Sequence, residues 1–292
     1  MFERLALIGC GLMGGSFALA LKQARLVRHV VGYSKSPASS ARACALGVID
    51  EQVLSAEQAV MGADVVLLAV PVASTESTLN AIRALVTPDM LIMDVGSTKS
   101  DVVRAAERAL GDRIASFVPA HPITGKEVAG VEHADANLYQ GRHVILTPLA
   151  STRAQQLDQA RAVWKAVGGK LVHMTPATHD TAFAAVSHLP HLLAFAMVQG
   201  ISDQPDGEHI LALGGPGFRD FTRIAAADPT MWRDIFLANK TELIAQLRWH
   251  QQALLALEQS ILEDDGPALE RQIAHASGVR ARWRMASLTP EN

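Results

Sequence analysis

Short runs of consecutive apolar residues punctuate the first half of the chain, at positions 5–8, 30–33, 65–70, 90–94, 115–118 and 143–147. Each is bounded by turn residues, as expected of strands buried on both faces of a sheet. Between them, segments 14–24, 38–46, 74–85 and 98–110 carry apolar residues at helical recurrence and are long enough to cross over between parallel strands. This order predicts a doubly wound α/β sheet. A helix over 153–167 then returns the apolar run 170–174 to an edge of the same sheet. Near Thr175 or Pro176 the pattern changes to long helical stretches, 178–200 with an interruption at Pro190, 230–262 and 267–283. Helices of this kind bury an apolar face only by packing on one another or on a second subunit. The chain therefore divides into an α/β domain over 1–175 and an all-helical domain over 176–292.

Composition narrows the function classes. The 292 residues are 49% hydrophobic and 19% charged, with a net charge of -3, so no basic excess is available to gather a nucleic-acid backbone. Cys10 and Cys44 are too few for a disulfide framework and read as small, reduced, partly buried side chains. The first apolar run follows Glu3 and Arg4 and is cut short by glycines, unlike a secretory signal. No apolar segment is expected to reach the roughly 20 residues of a membrane span. The expectation is a cytoplasmic protein with neither a nucleic-acid nor a membrane partner.

The first strand runs directly into Gly9-Cys10-Gly11-Leu12-Met13-Gly14, a GxGxxG spacing that opens the first helix. In that context Gly9 makes the tight turn, Gly11 lets the backbone approach a pyrophosphate, and Gly14 lets helix and strand pack closely, while free helix N–H groups attract phosphate. The second strand ends in Gly32-Tyr33-Ser34-Lys35, without the acidic residue usual for the ribose hydroxyls of NAD. Ser34 can meet a ribose hydroxyl or a 2′-phosphate and Lys35 favours the phosphate; both also read as solvated loop residues. The cofactor expected is NAD or NADP, with NADP at least tolerated. Val70-Pro71 and Asp94-Val95-Gly96-Ser97-Thr98-Lys99 end later strands on the ligand side of the sheet. Gly96 admits a ligand to the backbone, Ser97 can bond a substrate hydroxyl and Thr98 can cap the next helix, while capping alone also accounts for Asp94 or Ser97.

Taken with Gly96-Ser97-Thr98-Lys99, His121-Pro122-Ile123-Thr124-Gly125, Ser187-His188-Leu189-Pro190-His191, Gly217-Phe218-Arg219-Asp220-Phe221-Thr222-Arg223-Ile224-Ala225 and Pro229-Thr230-Met231-Trp232-Arg233-Asp234-Ile235, the chain resembles the prephenate dehydrogenase family over nearly its whole length. That family includes arogenate and less selective cyclohexadienyl dehydrogenases. The resemblance implies a Rossmann-like sheet followed by a helical domain for substrate binding and dimerisation, and an NAD- or NADP-dependent oxidation of a cyclohexadienyl alcohol with loss of carbon dioxide. It implies His121 as the base for the substrate hydroxyl, with Ser97 and His188 as further catalytic groups. His191 becomes a determinant of side-chain recognition, and Arg223 the partner of a substrate carboxylate. Asp220 would hold Arg223 in register, with Arg219 and Trp232 shaping the pocket; Asp180 can orient one of the histidines. A homodimer built through the second domain is implied as well.

Other readings stay open at this level. By themselves His121, His188 and His191 also fit interior polar networks, and Asp220 with Arg223 fits an ordinary helix-surface pair. The substrate is prephenate, with arogenate as a second substrate or as the sole one. A 3-hydroxyacid or opine dehydrogenase, or a nonenzymatic dinucleotide-binding regulator, would share the first domain. The histidines and two cysteines suggest no metal cluster, and no long remainder follows the helical domain to hold a separate tyrosine-sensing module.

Overall fold

The computed structural model describes residues 1–126 and 128–284. The first half alternates strands and helices: β1 (Phe2–Ile8), α1 (Leu12–Gln23), β2 (Val27–Tyr33), α2 (Pro37–Ala45), β3 (Glu51–Gln52), α3 (Ala56–Val60), β4 (Val65–Leu68), α4 (Thr75–Ile82), β5 (Leu91–Asp94), α5 (Ser100–Leu110) and β6 (Phe117–Val118). These strands form one parallel sheet in the order β3-β2-β1-β4-β5-β6. The order reverses beside β1, which opens a crevice at the carboxyl ends of β1 and β4. Apolar runs without alternation are explained by burial on both faces. Leu5 and Leu7 of β1 enter a core with Phe17, Leu21, Tyr139 and Trp164, whereas Ala6 and Ile8 enter another with Val66, Leu68, Ile92 and Phe117.

The chain continues through β7 (Ala120–Pro122), β8 (His143–Leu146), α6 (Ala154–Ala166) and β9 (Lys170–His173). Here one expectation is corrected. Runs 143–147 and 170–174 do not extend the parallel sheet; they form a second sheet, β7-β8-β9, in which β7 is antiparallel to β8 and β8 parallel to β9. Pro119 explains the split: it has no N–H to continue the pairing after Val118, so the chain leaves the first sheet and begins the second at Ala120. Val144, Leu146 and Ala120 nonetheless share the core of Leu5 and Leu7.

From Thr175, whose side chain accepts the Thr178 N–H, the chain is helical: α7 (Pro176–Phe183), a π-turn (Ala184–His188), α8 (Leu189–Ser202), α9 (Gly207–Ala212), α10 (Pro216–Thr222), a 3-10 turn (Arg223–Ala226), α11 (Pro229–Ala238), α12 (Lys240–Leu262) and α13 (Gly266–Arg282). Two interruptions fall elsewhere than expected. Pro190 lies inside a helical run that continues over Pro176–Ser202, and the irregularity is the π-turn Ala184–His188 just before it, where the chain accommodates the proline's missing N–H. Residues 230–262 break at Asn239 into α11 and α12. The run Pro176–Ser202 is long and apolar enough to cross a membrane by length and composition, contrary to the expectation of no such segment. It also carries His179, Asp180 and His188, all buried against the rest of the protein. Cys44 is exposed rather than partly buried; Cys10 is buried in the glycine turn.

Candidate active site

The crevice at the sheet's carboxyl edge is a cleft of about 1090 Å³. Its walls include Gly9, Cys10 and Gly11 from the β1–α1 turn, Ser34 and Lys35 beyond β2, Val70 and Pro71 beyond β4, Ser39 and Arg42 of α2, and Arg233 and Asp234 of α11. The glycines have distinct tasks. Gly9 has φ +101°, and a Cβ there would meet the Ala69 carbonyl at 2.2 Å. At Gly14 a Cβ would meet the Gly9 carbonyl at 2.3 Å, whereas at Gly11 it would project into open space. A dinucleotide pyrophosphate fits that open side of Gly11 at the N-terminus of α1. Leu12 and Met13 form the first turn of α1, and the Met13 carbonyl accepts the Tyr139 hydroxyl at 2.7 Å, so they support the turn from behind. Ser34 Oγ accepts the Cys10 N–H at 2.8 Å, which ties the end of β2 to the glycine turn.

His121 stands on β7, outside the lining of this cleft, and is half-buried. It is held from two directions. On one side, Ala120, the residue before it, is gripped at both backbone groups: its N–H donates to Asp94 Oδ1 at 3.0 Å and its carbonyl accepts Lys99 Nζ at 2.8 Å. Lys99 and Asp94 also pair directly, both buried at the end of β5. On the other side, His121 Nδ1 lies 2.8 Å from His179 Nε2, and His179 Nδ1 lies 2.8 Å from Asp180 Oδ1. The Phe183 ring stacks on His179 and packs against His121. Burial, followed by the charges of His179, Lys99 and His188, holds the His121 pKa well below the ordinary imidazole range, so the ring is neutral at pH 7.

Asp180 also corrects the capping expectation. The α5 N-terminus is capped by no local side chain. Asp180 instead accepts the N–H of Lys99 at Oδ1 and of Ser100 at Oδ2, each at 2.8 Å, across 81 and 80 residues of sequence. Thr98 Oγ1 is buried without a partner among the described residues, and Asp94 spends its oxygens on Gly96, Ala120 and Lys99. Burial pushes the Asp180 pKa up, but the hydrogen bonds from His179, Lys99 and Ser100 outweigh it and hold the carboxyl below its ordinary value. His179 is pushed below its ordinary value by burial, against the opposing pull of Asp180.

His188 is the last residue of the π-turn and is buried. Its Nδ1 accepts from Asn239 Nδ2 at 3.2 Å, and the same amide donates to the Asp180 carbonyl at 2.8 Å. Its Nε2 makes no well-aligned hydrogen bond among the described residues, and the Ser97 backbone lies close by. Ser97 and Gly96 occupy the half-buried loop between β5 and α5. Burial pushes His188 down to about 4. His191, one turn along α8, bonds the Ser187 carbonyl at 2.9 Å and stacks on buried Trp232 with ring centroids 3.6 Å apart. Arg219, Asp220 and Arg223 lie on exposed surface of α10 and the turn after it. Asp220 pairs with Arg219 at 3.0 Å on that surface.

The structure thus joins His121, Ser97 and His188 around one loop cluster through residues that the sequence reading passed over: His179, Lys99 and Asn239. Lys99 carried a usable signal, since it closes the strand-end motif after Asp94. Asn239 carried another, as the weak helix former at the break between α11 and α12. His179 had none beyond its place beside Asp180.

Sequence models describing the nucleotide-binding and dimerization domains of prephenate dehydrogenase match residues 17–173 and 175–275. A cyclohexadienyl dehydrogenase of Zymomonas mobilis is 35% identical over 282 residues, covering 96% of each chain. A crystal structure of prephenate dehydrogenase from A. aeolicus, in complex with hydroxyphenyl propionate and NAD+, superposes with a TM-score of 0.89 at 36% identity, covering 96% of this chain and 98% of that one. Synechocystis arogenate dehydrogenase gives 0.80 at 27% identity over 97% of this chain and all of that one. Two domain matches in sequence, relatives of nearly equal length and the same two-domain architecture agree: this chain belongs to the prephenate dehydrogenase family.

Proposed function

We propose that the chain oxidises prephenate with loss of its ring carboxylate as carbon dioxide, giving 4-hydroxyphenylpyruvate, and that it also accepts arogenate, giving tyrosine. The observation that carries this reading is His121: a neutral, half-buried imidazole, anchored through Nδ1 and held beside the end of β5 and the start of α5 by the grip of Asp94 and Lys99 on Ala120. Such a ring can take the proton of the C4 hydroxyl as the hydride leaves the same carbon. Nicotinamide, when bound, accepts that hydride. Loss of the carboxylate makes the ring aromatic, so the protein's share is alignment and charge stabilisation rather than a covalent nucleophile. Ser97 and His188 would bond the hydroxyl end of the substrate, His191 with Trp232 would flank its side chain, and Arg223 would meet a carboxylate with paired donors. Residues 1–175 would hold the dinucleotide, and 176–292 the substrate and a second subunit. Exposed Trp249, Leu255, Leu262 and Trp283 on and beyond α12 and α13 favour a homodimer, and a monomer at working concentration would contradict it. Relatives that are biosynthetic enzymes favour a cytoplasmic location.

For the cofactor, no carboxylate stands at Ser34, while Lys35 and Arg42 line the same wall of the cleft, a setting that accommodates a 2′-phosphate. The decisive assay crosses prephenate and arogenate with NAD and NADP and identifies the products. Prephenate turnover to 4-hydroxyphenylpyruvate is expected, with NADP used. Activity on arogenate alone would overturn the substrate assignment. Equal or better efficiency with NAD, unchanged in Lys35→Ala, would overturn the cofactor assignment.

A further inference from the structure

We infer that the buried pair His179–Asp180 is a positioning device that fixes His121 in one tautomer, with the proton on Nδ1 and the bare lone pair on Nε2. The inference rests on the reading of His121 as the base. It follows from hydrogen-bond polarity in three steps, given that burial keeps both rings neutral. Asp180 accepts two backbone N–H groups at the N-terminus of α5, where the helix dipole also favours negative charge, so it is an ionised carboxylate with no proton to give. His179 Nδ1, 2.8 Å from that carboxylate, must therefore donate, which leaves the lone pair of the neutral ring on Nε2. That atom faces His121 Nδ1 at 2.8 Å, so His121 must donate to it.

The consequence is chemical. A neutral imidazole accepts a proton only at its bare nitrogen, and the opposite tautomer would present an N–H to the substrate hydroxyl. With Nδ1 committed, Nε2 takes the hydroxyl proton and the ring becomes an imidazolium. The Nδ1–H···Nε2 bond to His179, backed by Asp180, then spreads the new charge without any proton leaving His121. The surroundings make the arrangement rigid: His179 is fully buried, Asp180 nearly so, and Phe183 covers both rings. Asn239 fixes the backbone of Asp180 through its carbonyl.

Long-range proton–nitrogen spectra of histidine-labelled protein read the tautomer directly, with His121→Asn identifying the His121 signals. The parent should show Nδ1 protonated and Nε2 bare. In His179→Gln the amide can still accept from His121 and donate to Asp180, so the same tautomer and a kcat within about tenfold of the parent are expected. In His179→Leu the acceptor is gone: His121 should populate the Nε2–H form and kcat should fall by about 10²-fold, with dinucleotide affinity unchanged as the control for folding. A parent His121 with Nε2 protonated, or an unchanged tautomer in His179→Leu, would overturn the inference. The kcat of His121→Asn tests the base assignment by itself, so the two failures are separable.

Discussion

Two charged regions of this molecule are built in opposite ways. Around His121, the groups Asp94, Lys99, His179 and Asp180 are buried, each with named partners at hydrogen-bond distance. Around Arg223, the charges of Arg219 and Asp220 lie on open surface and pair with each other. A base needs its geometry before substrate arrives, because a misaimed lone pair costs rate directly. Fixed geometry is therefore concentrated around His121, where the proposed base needs it, while Arg219 and Asp220 sit where solvent reaches them.

The comparison breaks first if the buried hub carries no stability. Lys99→Met would leave Asp94 buried with only backbone donors, and a loss of about 3–5 kcal/mol in urea unfolding is expected, the range for breaking a buried pair. A loss within the range of a surface substitution would mean that the pair is dispensable. Next comes pH. His188 is held near 4 in the fold against about 6.5 when unfolded, so the unfolded chain takes up the proton first. Stability on this account is highest above about pH 6.5 and falls progressively as pH drops from there to about 4, a loss of roughly 3 kcal/mol. Unfolding midpoints at pH 7 and pH 4.5 should differ accordingly, and His188→Asn should flatten the slope. On the exposed side the effects move from stability to binding. Arg223→Ala should raise KM for prephenate by roughly 10–100-fold, the range of a hydrogen-bonded charge, with stability little changed. An unchanged KM would remove it from the site. Smallest of all, Asp220→Asn should shift stability by less than about 1 kcal/mol, because its pair with Arg219 is solvated and screened.

What the sequence revealed follows locality. The glycine turn and five of the six strands of the parallel sheet are written in adjacent residues and were legible, with ends that shifted by up to three positions; the two-residue edge strand β3, polar and defined only by its pairing with β2, was not. The second sheet was not, because β7 has three residues and is defined by its pairing with β8 rather than by its composition. The cap of α5 was illegible for the same reason: its acceptor, Asp180, lies 80 residues further on. Resemblance supplied His121, Ser97, His188 and Arg223 as candidates. It gave no role to His179, which meets His121 only once the helical domain has docked on the first, or to Lys99, whose partners Asp94 and Ala120 come together only when the strand ends are assembled.

The central claim is that neutral His121 is the base that takes the hydroxyl proton, and the pH dependence of kcat on prephenate in the parent and in His121→Asn tests it most directly. The depressed pKa of His121 places the acid limb of the parent profile below the ordinary imidazole value near 6.5, with full activity at neutral pH. In His121→Asn, kcat should fall by roughly 10²–10⁴-fold and that limb should vanish, while dinucleotide binding persists. A folded His121→Asn protein that keeps a near-parental kcat with the same acid limb would contradict the account.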